Sequence, residues 1–98
     1  MPSKISRPTD PEHIPFTPPD ALACALARAH SVLASDLLYM CNKIEDEGLR
    51  EWVGEFIFRS MIGLACDFAT LHQGREVSHP ASNEWLCAAY VAAGIHSW

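Results

Sequence analysis

The stretch from Leu49 to Gln73, LREWVGEFIFRSMIGLACDFATLHQ, constrains the chain more than any other. One face carries Leu49, Val53, Phe56, Ile57, Leu64, Phe68 and Leu71 at spacings of three and four. Trp52, Phe58, Met61, Ile62 and Cys66 spread the apolar surface over a second face. An ordinary surface helix has one apolar stripe, and a helix apolar nearly all round is buried on several sides. The stretch therefore reads as the central helix of an all-α domain, completed by a second copy or a partner.

The chain has 98 residues, which allow one domain. A chain this short buries only about 60–65% of its unfolded surface. Yet 49% of its residues are hydrophobic, so part of the surplus is expected at an interface. Twelve acids against seven bases give a formal charge of −5. Phosphate-backbone binding relies on clustered Lys and Arg, so no nucleic-acid partner is expected. The start MPSKISRP lacks the apolar run of a signal peptide. Around Phe56 to Leu71 the apolar run is interrupted by Arg59 and Asp67, so no membrane span is expected. A cytoplasmic location follows, with Cys24, Cys41, Cys66 and Cys87 reduced.

Six of the seven prolines lie between Met1 and Pro19. Proline lacks an amide donor and restricts the residue before it. Residues 1–17 therefore read as an extended, irregular arm, which Ile14 and Phe16 can pin to the helices. Residues 18–98 read as a single helical domain. Thr17 is the expected N-cap of a first helix from about Pro18 to Glu47. Leu22, Leu26, Ala29, Leu33, Leu37, Met40 and Ile44 recur along it at steps of 4, 3, 4, 4, 3 and 4. That is the seam of an antiparallel bundle or coiled coil. Glu45-Asp46-Glu47-Gly48 marks the reversal, with Gly48 as the expected left-handed stop. The second helix ends near Gln73, with Gly74 as its cap. After a loop containing Pro80, Ser82 is expected to cap a short third helix, Asn83 to Ala93, stopped by Gly94. The fold class is thus all-α: an antiparallel hairpin of two long helices plus a short C-terminal helix, with helix at about 60–70% and no sheet.

No motif of chemistry rises above this background. No C-x-x-C pair is present, and the cysteines fall within helices, where a buried free thiol acts as a small hydrophobe. Cys66, His72 and His79 gather near the end of the second helix but match no zinc spacing. His30 lies beside the seam, where a buried, hydrogen-bonded role is expected. Asp36 and Arg59 are candidates for a pair that fixes the hairpin register. The glycines are isolated, and G-x-S-x-G, H-E-x-x-H and EF-hand patterns are absent. No catalytic residue, metal or cofactor is expected, and the chain reads as a non-enzyme.

The run Ala21 to Leu38, with its L-x-x-A-x-x-V-L-A-S-D-L character, resembles an uncharacterised family of short bacterial helical-hairpin proteins. The resemblance implies a polar leader followed by two apolar helices, and carries no activity.

These readings converge on a small interaction module, acting as an adaptor, regulator or inhibitor of an unidentified protein partner, a phage-type inhibitor being one instance. The alternative is a small enzyme or ligand- or metal-binding protein with a site between the helices. The expected interface residues are Phe58, Ile62, Trp52, Cys66 and Trp85. An acidic docking patch is expected at Glu45, Asp46, Glu47, Glu51 and Glu55. A symmetric homodimer is expected to bury the face led by Phe58, Ile62 and Cys66.

Overall fold

Pro18 and Pro19 hold the chain extended, because the residue before a proline is steered away from helical dihedrals. The computed structural model describes residues 15–96, and the first helix, α1, spans Ala21–Cys41. Its N-cap is Asp20, at φ −131° and ψ −165°, whose Oδ1 accepts from the Ala23 amide at 3.0 Å. Thr17 is therefore not the cap: two prolines separate it from the first helical turn. It bonds Gln73 instead, its amide donating to Oε1 at 2.8 Å and its carbonyl accepting from Nε2 at 3.2 Å. Most of the expected proline-rich arm, with Ile14, lies outside the described residues. Phe16 does pack against the core, under the Arg75 guanidinium.

α1 stops at Cys41, six residues short of the expected Glu47. The second helix, α2, spans Glu47–Gln73, and its N-cap is Asp46, which accepts from the Leu49 amide at 2.9 Å. Gly48 thus lies inside the first turn of α2 rather than ending α1. The acids explain this placement: they are disfavoured at the negative end of α1 and favoured at the positive end of α2. Arg50 reaches back to the Ile44 carbonyl at 2.8 Å and fastens the connection. Gly74 closes α2 at φ 71°, a conformation that costs glycine little.

The third helix, α3, spans His79–Ala92 and starts four residues earlier than expected. Its cap is Ser78, and Pro80 sits in the first turn, where a missing amide costs nothing. Ser82, displaced from the cap role, is buried and donates to the His79 carbonyl at 2.8 Å. The helix ends at Gly94, φ 77°, with Gly94 donating to Val91 and Ile95 to Tyr90. Helix covers 76% of the structure, with no strand among the described residues.

The start of α1 lies against the end of α2, where Asp20 meets His72, and Cys41 at its end meets Arg50 at the start of α2. The buried stripe of α1 is Ala23, Ala27, His30, Ala34 and Cys41. That overturns the expected leucine seam. Alanine lets two helix axes approach closely, and the close side becomes the alanine side. The stripe Leu22, Leu33, Leu37 and Met40 is rotated out and exposed.

The core divides in two. Where all three helices meet, Ala23, Ala27, Ala69, Val77, Trp85, Ala89 and Tyr90 pack together. Where only α1 and α2 run, Ala34, Cys41, Ile57 and Met61 form a smaller cluster. α3, about 21 Å long, cannot cover α2, which is about 40 Å long. Among the described residues one helix, α1, is long and apolar enough to cross a membrane, with mean hydropathy 1.3 over 18 residues, of which 22% are buried. The Phe56–Leu71 run hid this feature at the level of sequence. Its charged residues are Arg28 and Asp36.

The placement of the core stripe is testable. Ala27→Leu should overpack the helix contact and cost about 1–3 kcal/mol. Ala25→Leu, on the exposed side of α1, should stay within about 0.5 kcal/mol. Urea denaturation of the two variants against the parent checks both.

Candidate functional site

Two buried histidines cross-link the helices. His30 of α1 is buried between α2 and α3. A carbonyl can only accept, so Nε2–H donates to the Met61 carbonyl at 3.0 Å. Nδ1 lies 2.7 Å from the Tyr90 hydroxyl, which donates to it in the singly protonated ring. His30 thus touches both other helices with its two ring nitrogens.

His72 makes the second junction, near the end of α2. Its Nε2–H donates to Asp20 Oδ1 at 2.8 Å. Its Nδ1 accepts from Trp85 Nε1–H at 3.0 Å and from Gln73 Nε2 at 2.9 Å. Asp20 therefore caps α1 and holds His72 with one oxygen. The Ala23 amide, followed by the His72 hydrogen bond, lowers its carboxyl below the ordinary value of 3.8. An Asp–His pair is the supporting half of a nucleophilic constellation. Here the imidazole's second nitrogen is held by Trp85 and Gln73, so the pair serves packing and register. Asp36 and Arg59, the residues expected to set that register, are both exposed and form no ion pair with one another.

Among the described residues no group of three or more His, Cys, Asp or Glu is placed to hold a metal ion. Cys66 donates to the Val77 carbonyl at 2.9 Å, which fastens the loop after α2. His79 is exposed at the start of α3. Of the free cysteines only Cys41 is buried, and Cys87 is exposed on α3.

The distinctive surface lies along α2, beyond and beside the short α3. Phe56 and Phe58 are two residues apart, about 200° around the helix, so they flank α2 on different sides. On the Phe56 side an open groove of about 320 Å³ runs between α1 and α2, lined by Leu37, Met40, Ile44, Val53, Phe56 and Ser60. On the Phe58 side a groove of about 230 Å³ lies beside α3, lined by His30, Phe58, Met61, Ile62, Asn83 and Leu86.

The expected interface residues divide between these places. Phe58 is 64% exposed and lines the second groove with Ile62. Trp52, 61% exposed, stacks on Phe56 at 6.0 Å between ring centroids and so belongs with the first. Cys66 is half-buried against Val77. Trp85 is not an interface residue: it is 1% exposed and fills the three-helix core. Its indole was the largest ring on α3, and the largest ring is what a small core most needs to bury. The acids Glu45, Asp46, Glu47, Glu51 and Glu55 are all exposed, and Asp46 is spoken for as the α2 cap.

Sequence reasoning missed the Asp20–His72–Trp85 chain. Pro-Asp ahead of an apolar run was the available signal for the cap. The histidine partner needed the helix pairing to be known.

The lowered Asp20 carboxyl sets a pH dependence. A carboxyl depressed in the folded state stabilises it above the unfolded value, and the contribution is lost as pH falls through the folded value. The parent should therefore melt above Asp20→Asn at neutral pH, and the gap should close as pH drops below 3.8. Thermal melts followed by circular dichroism between neutral and acid pH check this.

Compared with protein-family models, curated proteins and solved structures, the chain matches none, so the resemblance at Ala21–Leu38 has no matched relative behind it.

Proposed function

We propose that the chain is a small protein-interaction module without catalytic activity, built as an antiparallel hairpin of α1 and α2 buttressed by α3 and preceded by a proline-rich arm. The observation that carries this reading is the unshielded apolar surface at the two-helix end. Met40 and Phe58 are each 64% exposed, and Leu37, Trp52 and Phe56 are exposed as well. Leaving several such side chains in water forgoes roughly 1.5–3 kcal/mol apiece. Surfaces of this kind mark association sites. Self-association into a homodimer and capture of another protein both use such a surface, and two grooves on different sides of α2 accommodate both. The reading takes the chain as cytoplasmic, where its four cysteines stay reduced. Its acidic end, Glu45 to Glu55, favours a partner with a basic rim.

The alternative, a ligand site between the helices, would use the Phe58-side groove, whose floor is His30. Both His30 nitrogens are already engaged by Met61 and Tyr90, which argues against that use.

The test is comparative capture from the native host. A defined partner retained by the parent should be weakened at least tenfold by Phe58→Glu, in line with roughly 2 kcal/mol for an interface anchor. Val91→Ser, on exposed α3 surface, should leave it unchanged. Equal retention by parent and Phe58→Glu, or a small molecule whose magnetic resonance perturbations centre on His30, would sink the reading.

A further inference from the structure

Leu33, Leu37 and Met40 of α1 are exposed at helical spacing, and Ile44, in the turn three residues past α1, continues that spacing while partly buried against the smaller core. Leu33, Leu37, Met40 and Ile44 follow one another at steps of 4, 3 and 4, the rhythm of the core positions of a heptad. In that frame Leu33 and Met40 are d and Leu37 is a, and Ile44, in the turn past Cys41, occupies the place of the next a. Ala34 and Cys41 then fall at e, and both are buried against α2. Asp36 and Lys43 fall at g, on the outer flank, and both are exposed. One flank of the stripe is thus occupied by α2, Leu33, Leu37 and Met40 are open, and the far flank carries one acid and one base seven residues apart. Leu37 is 39% exposed.

The charge order selects an occupant. In a parallel pairing of two α1 helices, g faces e of the other helix, and Asp36 or Lys43 would meet no charge. In an antiparallel pairing g faces g, and Asp36 meets the Lys43 of a second copy, while Lys43 meets its Asp36. The same arrangement sets Leu37 opposite the second copy's Met40, and Leu33 opposite its Ile44, each twice. Such a patch is self-complementary, the requirement of a two-fold interface, in which each contact occurs reciprocally. Lys43 sits two residues beyond α1, its backbone N–H donating to the Met40 carbonyl at 3.1 Å. Its ammonium now lies 4.7 Å from the Tyr39 ring centroid, at the surface and within a side chain's reach of the flank.

We infer that a second copy of this chain docks on the Phe56 side, α1 antiparallel to α1, with the Leu33–Ile44 stripe as its core and reciprocal Asp36–Lys43 pairs at its edges. The groove of about 320 Å³ between α1 and α2 then receives the partner's leucines. This inference deepens the reading of the chain as an interaction module and rests on it. It moves self-association away from the Phe58 face expected from sequence and leaves that face to a different partner.

Light scattering and sedimentation at micromolar concentration test it. The full chain should have twice the 10.8 kDa monomer mass. Leu37→Glu should halve the mass while the circular dichroism spectrum stays helical. Phe58→Glu should remain dimeric. Because exposed ion pairs contribute little singly, reversing one partner of both symmetric pairs should weaken dimerisation only about tenfold. Asp36→Lys and Lys43→Asp should each do so, and the double reversal should restore it to within about threefold, an outcome that simple surface damage does not produce. A monomer at every concentration overturns the inference and leaves capture at the Phe58 groove standing. A dimer broken by Phe58→Glu and not by Leu37→Glu overturns the assigned face. A monomer that floats with phosphatidylcholine vesicles, and loses that with Leu37→Glu, assigns the stripe to a membrane surface and overturns it as well.

Discussion

α1 and α2 approach on alanine, and most of the architecture follows from that constraint. Ala23, Ala27 and Ala34 on α1 and Ala65 and Ala69 on α2 are almost fully buried. Small side chains allow close axes, and close axes gather many weak dispersion contacts along the pair. The larger residues are then pushed to the flanks of the contact. There Leu26 and Phe68 meet the three-helix core, and Ile44, Val53 and Leu64 meet the smaller one. A leucine-on-leucine contact would have spread the axes and hidden the stripe that now lies open.

Close packing of bland residues specifies position along the helices poorly, because one alanine fits much like the next. Polar junctions supply what the alanines do not. His30 and His72 each engage two other helical elements, and every nitrogen on their rings is directed to a named partner. Sliding either helix by one turn, about 5.4 Å, would strand these groups in a buried setting. No buried side-chain polar atom is left without a partner among the described residues. The register is therefore fixed by hydrogen bonds that would be costly to break, although each adds little net stability when made.

Much of this was legible in the residues, but unevenly. The three helices, their order, and the stops at Gly74 and Gly94 follow from apolar spacing and glycine placement. The starts were harder. Thr17 and Asp20 are both good caps, and only the two intervening prolines decide for Asp20. Pro80 reads as loop unless it is allowed into a first turn, which is where it lies. The seam was misjudged because leucine carries a stronger hydrophobic signal than alanine, although contact distance follows size rather than hydrophobicity. Of the surface residues expected at an interface, Phe58, Ile62 and Trp52 are exposed. Trp85 is not, because an aromatic ring three residues after a buried Ser82 shares its inward face. The Asp20–His72–Trp85 chain joins residues far apart in sequence and had no local signature.

The brevity of α3 makes the rod unequal along its length. At one end three helices enclose two aromatic rings and two histidine junctions. At the other, two helices share the smaller cluster of Ala34, Cys41, Ile57 and Met61, flanked by partly buried Ile44, Val53 and Leu64. Local opening tracks the density of buried apolar contacts, so the two-helix end is the low-stability segment of the molecule. Whatever covers its exposed leucines and aromatics also stabilises that segment by mass action. Occupancy of the surface and integrity of the helices beneath it are thus one equilibrium. The concentration of any molecule that covered it would then govern how long the unsupported turns of α1 and α2 persist, and how readily a protease finds them.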